Sequence, residues 1–222
     1  MPISRRRLLG AACTLPLLAL PGCATLGGFG FEDAIRRLLT LSSQRAFARL
    51  LGDNGFFEDE LARVELPPQL SGAGSLASAL LRTPAVQNQL LQLMNRAAAN
   101  AAEAAAPIVY DSIRSMSFLD AVSLVRGGPT AATDLLQRSM GDAIVDAMFP
   151  GVGQALRTFD NGIVNQVARA ATGIDFAGLQ RHVARSAAGG IYRAIGREEA
   201  AIRANPQATG DPVLTGVFGV LG

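Results

Sequence analysis

Residues 83–108 read TPAVQNQLLQLMNRAAANAAEAAAPI, and the fold class turns on them. Thr83-Pro84 is a helix start, a capping residue followed by proline at the first helical position. From Val86 the apolar series runs Leu90, Leu93, Met94, Ala97, Ala101, Ala104 and Ile108, one face of a long amphipathic helix. Eight of residues 97–106 are Ala. Ala favours helix and lets a neighbour approach closely, so a tight helix–helix contact is expected here rather than a low-complexity linker. Pro107 is expected to kink or break the helix.

The flanking segments carry the same period. Phe31 to Leu51 places Ile35, Leu38, Leu39, Phe47, Leu50 and Leu51 at helical spacing, with Ser42-Ser43 weakening the middle. Gly52-Asp53-Asn54-Gly55 is a turn. Ala62-Arg63-Val64-Glu65-Leu66 alternates and stops at Pro67-Pro68, an extended stretch with no obvious partner; Ser71 to Ser75 reads as loop. Ser117-Phe118-Leu119-Asp120 fits a capping box with the acid at its fourth position. Its short helix ends at Gly127-Gly128. Another starts at Pro129-Thr130 and reaches Phe149; Pro150-Gly151 breaks it, and helix resumes to about Ala171. After a break at Thr172-Gly173, Asp175 fits as the cap of a last long helix. That helix carries Leu179, Val183, Ala187, Ile191, Ile195 and Ile202 and ends at Asn205-Pro206. Asp211-Pro212 caps one final apolar turn. No strand series competes, so the expected fold is all-α, a bundle-like single domain of several helices.

The N-terminus reads as an address. Ser4-Arg5-Arg6-Arg7-Leu8-Leu9 is a basic start, and the apolar run Leu8 to Leu20 is too short to span a bilayer but fits a signal peptide. Leu20-Pro21-Gly22-Cys23 resembles a bacterial lipobox, which implies diacylation of Cys23 and cleavage before it. The arginine pair resembles a twin-arginine signal; an Arg-rich Sec signal fits equally well. The expected organisation is therefore signal peptide 1–22, lipidated Cys and tether 23–30, and helical domain 31–222. Cleavage removes Arg5, Arg6 and Arg7 and takes the formal charge from +2 to −1, which leaves no electrostatic case for nucleic acid. Two or more acyl chains hold durably where one holds marginally. By resemblance to lipoprotein sorting, Ala24 after the Cys favours the inner leaflet of the outer membrane, facing the periplasm.

Composition narrows the chemistry. All 20 basic residues are Arg, which excludes a Schiff-base or P-loop lysine. A single His rules out a multi-His metal site, and no metal or cofactor is expected. Of the two Cys, Cys13 goes with the signal, so the mature domain has no disulfide and rests on burial. His182 sits at the edge of an apolar stripe, and no nucleophile elbow surrounds any Ser. Glu198-Glu199 point about 100° apart on a helix; Glu199 and Arg203 are spaced for a solvated i,i+4 ion pair. Gly127-Gly128-Pro129-Thr130-Ala131-Ala132-Thr133 could present amides to an anion, with Thr130 and Thr133 in it, although Thr130 as a plain cap is favoured. Asn95 and Glu103, eight apart on one helix face, with Tyr110 and Asp120, are candidates for a polar network or ligand site.

Several stretches together resemble one bacterial lipoprotein family, the domain of unknown function 4197. They are Met94-Asn95-Arg96-Ala97-Ala98, Ser115-Met116-Ser117-Phe118-Leu119-Asp120-Ala121, Gly127 to Thr133, Glu198 to Pro206, and Val217-Phe218-Gly219. The set is in order and covers nearly the whole mature chain. Ala99 and Leu135-Leu136 depart from the family pattern, which has Glu and aromatics there. The resemblance implies an exported, mostly helical, usually lipid-anchored domain and no established activity. The expected function is a lipid-anchored, periplasm-facing, non-enzymatic domain that binds a partner protein or an envelope component. The alternatives are a carrier of an apolar ligand between helices, or an enzyme in which Glu103, Asp120 or Glu198 converge.

Overall fold

Pro84 does open the longest helix. A computed structural model of the chain describes residues 30–67, 83–158 and 176–221. The signal segment, Cys23, most of the tether, the loop 71–75, the helix expected up to Ala171, and the Asp175 cap lie outside the described residues. The helices are α1 Phe31–Leu50, α2 Gly55–Glu58, α3 Pro84–Ser115, α4 Ala121–Val125, α5 Ala131–Met140, α6 Ala143–Thr158, α7 Phe176–Ala204 and α8 Pro212–Leu221. A 3₁₀ turn, Pro206–Thr209, joins α7 to α8. Among the described residues there is no strand, and the fold is all-α.

In α1 the apolar face is buried from Ala34 through Leu50. Ser42 and Ser43 do not interrupt it. Both are fully buried, on the same face as the apolar residues. In α3, Ala97, Ala98, Ala101, Ala102 and Ala105 are buried, and α3 packs most extensively on α6. Gly151 of α6 comes so near that an added Cβ would lie 3.4 Å from Ala101. The Ala tract is thus a close helix contact.

Neither internal proline ends its helix: the break expected at Pro150-Gly151 does not occur, and of the kink or break expected at Pro107 the break does not. α3 continues through Pro107 to Ser115, and α6 continues through Pro150 to Thr158. A proline removes one i→i−4 bond and costs roughly 3 kcal/mol in a helix interior. Here both prolines are exposed, so each freed carbonyl lies on the solvent side. Beyond Pro107, Val109 and Ile113 continue the buried stripe. Arg36 of α1 then closes that end, donating to the carbonyls of Ile113, Arg114 and Met116. A cation there also faces the negative end of the helix dipole. Beyond Pro150, Gln180 of α7 donates to the Phe149 carbonyl at 2.6 Å. The actual break between α5 and α6 is Gly141, at φ 53° and ψ −125°, a conformation that only glycine adopts readily.

Two caps differ from the sequence reading. Asp120 is itself the cap of α4, accepting from the Ser123 amide at 3.2 Å, so the helix starts three residues later than the Ser117 box implies. Thr130 makes no capping bond to α5; its hydroxyl lies 3.3 Å from the Asp134 carboxylate. Asp211 caps α8 as expected, accepting from the amides of Val213 and Leu214.

α7 is the central element, packed on α1, α6, α5 and α3. The extended stretch 63–67 runs beside it. Ala62 meets α7 at Gly190, where an added Cβ would sit 2.7 Å from the Ala62 carbonyl oxygen and 2.8 Å from its Cα. Glycine is required there by the close approach of backbone.

Candidate functional site

Two polar clusters organise the molecule. The first is at the start of α5. Glu199 of α7, fully buried, accepts from the Ala132 amide at 3.1 Å, the Thr133 amide at 2.7 Å and the Thr133 hydroxyl at 2.6 Å. Its other partner is Arg203, whose Nε donates to Oε1 at 2.8 Å. Arg203 also donates to the carbonyls of Leu124 and Val125, each at 3.0 Å, and lies over the Phe218 ring, 4.8 Å from its centre. An anion therefore sits at the positive end of α5 and a cation at the negative end of α4. Within Gly127–Thr133 it is the first turn of α5, at Ala132 and Thr133, that presents amides to an anion, and that anion is the chain's own carboxylate. The Glu199–Arg203 pair expected in solvent is buried. Next to it Glu198 is buried too, 3.1 Å from Arg49 of α1.

The second cluster holds the segment after α2 against α7 and α3. Asp59 accepts two bonds from Arg197, at 3.0 and 2.7 Å, and further bonds from the Leu61 and Ala62 amides. Arg193 donates to the Leu61 carbonyl at 2.6 Å. Asn95 of α3 accepts from the Val64 amide at 2.8 Å and donates to the Val64 carbonyl at 3.1 Å. His182 lies 2.9 Å from the Glu65 carbonyl; since a carbonyl only accepts, Nε2 carries the proton. Partial burial opposes charge on Asp59, but Arg197 and the two amides outweigh it and hold the carboxyl below its ordinary range.

The sign of this shift makes a prediction. Protons bind the unfolded chain more readily than the folded one, so stability is present above the ordinary carboxylate pKa of 3.8 and is lost as pH falls through the lower folded value. Asp120, held low by Ser123, and Asp211, held low by the Leu214 and Val213 amides and Arg37 against its burial, act in the same direction. Urea midpoints are expected to fall between about pH 5 and pH 2. Asp59→Asn is expected to flatten that fall; an unchanged slope would count against the Arg197 bond.

The sequence-predicted residues do not form one site. Asn95 is buried in the second cluster, and Thr133 in the first. Glu103 is exposed in mid-α3, away from the face that buries Asn95. Tyr110 is half-buried with its ring tilted against Phe47, centres 6.0 Å apart, and burial raises its phenol. Asp120 is an exposed cap and Thr130 a half-buried neighbour of Asp134. Sequence reasoning missed Arg36, Asp59 and Arg197 altogether. Tyr192 is also buried, its phenol pushed up to about 12 by burial and then by Asp142, so it stays protonated at neutral pH.

Among the described residues, no group of three or more His, Cys, Asp or Glu is placed to hold a metal. No described helix is long and apolar enough to cross a membrane. A surface cleft of about 440 Å³ lies between α1 and the start of α8, lined by Asp33, Arg37, Thr40, Gln44, Asp211 and Leu214. Its charges are already engaged: Arg37 bonds Asp33 at 2.8 Å and Asp211 at 3.1 Å, and Arg36, which also lines it, bonds the carbonyls at the end of α3. A second cleft of about 320 Å³ is lined by Asn100, Gly151, Gln154, Ala155 and Thr158.

A family model described as "Protein of unknown function (DUF4197)" matches residues 26–219. No curated protein matches the chain, and no solved structure does.

Proposed function

The chain belongs to the DUF4197 family, whose description names no activity, and we propose that it is a lipid-anchored, periplasm-facing envelope protein with a non-enzymatic binding domain. One observation carries the choice of binding over catalysis. The buried polar side chains best suited to chemistry are bonded to the fold's own backbone: Glu199 at α5, Asn95 at Val64 and Asp59 at the Leu61 turn. Groups saturated in this way hold helices together; a general acid or base needs a free atom within reach of substrate. The carboxylates of the enzyme alternative are likewise dispersed in role, Glu103 exposed, Asp120 capping and Glu198 paired with Arg49.

The address rests on Leu20-Pro21-Gly22-Cys23 after a basic and apolar start. The family match begins at residue 26, just past Cys23, so residues 1–22 fall outside the matched domain. Acylation of one Cys with two or more chains gives durable anchoring, at about 0.8 kcal/mol per buried methylene. Expressed with its own signal in a Gram-negative host, the wild-type chain is expected in the membrane pellet, and mass spectrometry of its N-terminal peptide should find a lipid-modified Cys23. Cys23→Ser is expected to move the protein to the soluble fraction. Tight membrane association of that variant would overturn the anchor.

A further inference from the structure

We propose that the groove between α3 and α7 is a receptor for an extended peptide, and that Asp59–Leu66 of this chain is its resident ligand. The proposal rests on the binding-domain reading above and names the partner's chemistry. A partner segment with a carboxylate, a small residue three positions on and a compact apolar residue two further would bind in the same register.

The groove reads main chain. One carboxamide, Asn95, satisfies both the amide and the carbonyl of Val64, the pairing that a neighbouring strand would supply. Asn95 is 2% exposed, and its amide is fixed in turn by the Leu91 carbonyl at 2.7 Å. Arg193 and His182 hold the carbonyls of Leu61 and Glu65. These bonds are indifferent to side-chain identity.

Three positions do select. The Asp59 carboxylate meets Arg197 in a two-bond fork, geometry that a carboxylate fits better than a neutral group. Ala62 packs its backbone on Gly190 and is itself fully buried, which favours a small residue there. Val64 is fully buried. Between them Arg63 is half-buried, while Leu61 and Glu65 are exposed and free to vary. Inward and outward residues alternate, as for a bound strand.

The resident segment is also the kind that opens. Residues 63–67 belong to no helix; Asn95 holds them from inside, while His182, half-buried, and Arg193, exposed, hold Glu65 and the adjoining Leu61 from the surface. Such segments come from the low-stability end of a fold. Tethering raises the resident's local concentration, so a free peptide competes at a disadvantage that weakening the resident removes.

The test has two arms, both on the full chain. In hydrogen exchange of the wild type, the Ala62 and Val64 amides are expected to exchange about 100-fold faster than core amides of Met94 and Ile191. Exchange at the core rate means that the segment leaves only on global unfolding and overturns the proposal. In the second arm a labelled peptide of the sequence Asp59 to Pro67 is titrated by fluorescence anisotropy. Asp59→Ala is expected to bind it about tenfold more tightly than wild type does. The same peptide with Val64→Asp is expected not to bind. A helical Asp59→Ala chain that shows no saturable binding overturns the proposal. A concentration-dependent dimer that excludes the peptide overturns it in favour of exchange between copies. Neither failure touches the Cys23→Ser fractionation, so the anchoring reading is judged separately.

Discussion

Glu199→Ala is expected to destabilise the domain by about 3–5 kcal/mol, the range for breaking a buried ion pair by removing one partner. The cause is what remains. Arg203, its side chain 10% exposed, keeps a buried positive charge with no carboxylate against it, held only by the carbonyls of Leu124 and Val125 and the face of Phe218. The amides of Ala132 and Thr133 lose their acceptor at the start of α5, where Thr130 does not replace it. In a domain of this size each kcal/mol moves the melting temperature by about 2–4 °C, so a fall on the order of 10 °C is expected in a thermal melt followed by circular dichroism. The double change Glu199→Leu with Arg203→Leu should cost less than the sum of the two single changes, because it removes the stranded charge along with the attraction. A single-variant loss below about 1 kcal/mol would mean that water reaches the pair and that it behaves as a surface bridge.

Asn95→Ala is expected to be nearly as costly, about 2–4 kcal/mol. Val64 is fully buried, so losing the carboxamide leaves its amide and carbonyl without water or partner, at roughly 1–3 kcal/mol per orphaned group. The loss should concentrate in the segment 59–67. Urea unfolding measures the total, and amide exchange at Val64 locates it. Asn95→Asp separates the two halves of the contact: it keeps an acceptor for the Val64 amide but turns an oxygen toward the Val64 and Leu91 carbonyls. It should be at least as destabilising as the alanine change at neutral pH and recover partly on acidification, when the carboxyl becomes a donor. Equal stability of the aspartate variant at pH 7 would show that the Val64 and Leu91 carbonyls need no donor.

Much of the helical content was legible one segment at a time. The Leu90–Leu93–Met94–Ala97–Ala101 stripe of α3, the Pro84 start and the Asp211 cap each depend on residues within a few positions of one another. The breaks expected at the prolines do not occur because long-range packing offsets the local penalty of about 3 kcal/mol. Val109 and Ile113 lie buried beyond Pro107, and Arg36, 77 residues before Ile113, secures that helix end. Neither fact is visible near Pro107.

The candidate site shows the same division. Asn95 was marked as polar on a helix face, and its partnership with Glu103 followed from spacing. Its actual partner, Val64, is 31 residues away on a segment with no secondary structure. Thr133 was marked as part of an anion-presenting loop; the anion came from Glu199, 66 residues later. Glu199 and Arg203 were correctly paired by their spacing of four, yet spacing is identical for an exposed pair and a buried one. By itself the sequence determined the helical class, the starts of α1, α3, α5 and α8, and the family, because periodicity, caps and ordered short motifs are local. Only the tertiary structure decided which charges are buried, which carbonyls they close and where the extended segment docks, because desolvation and long-range hydrogen bonds depend on elements the chain brings together from far apart.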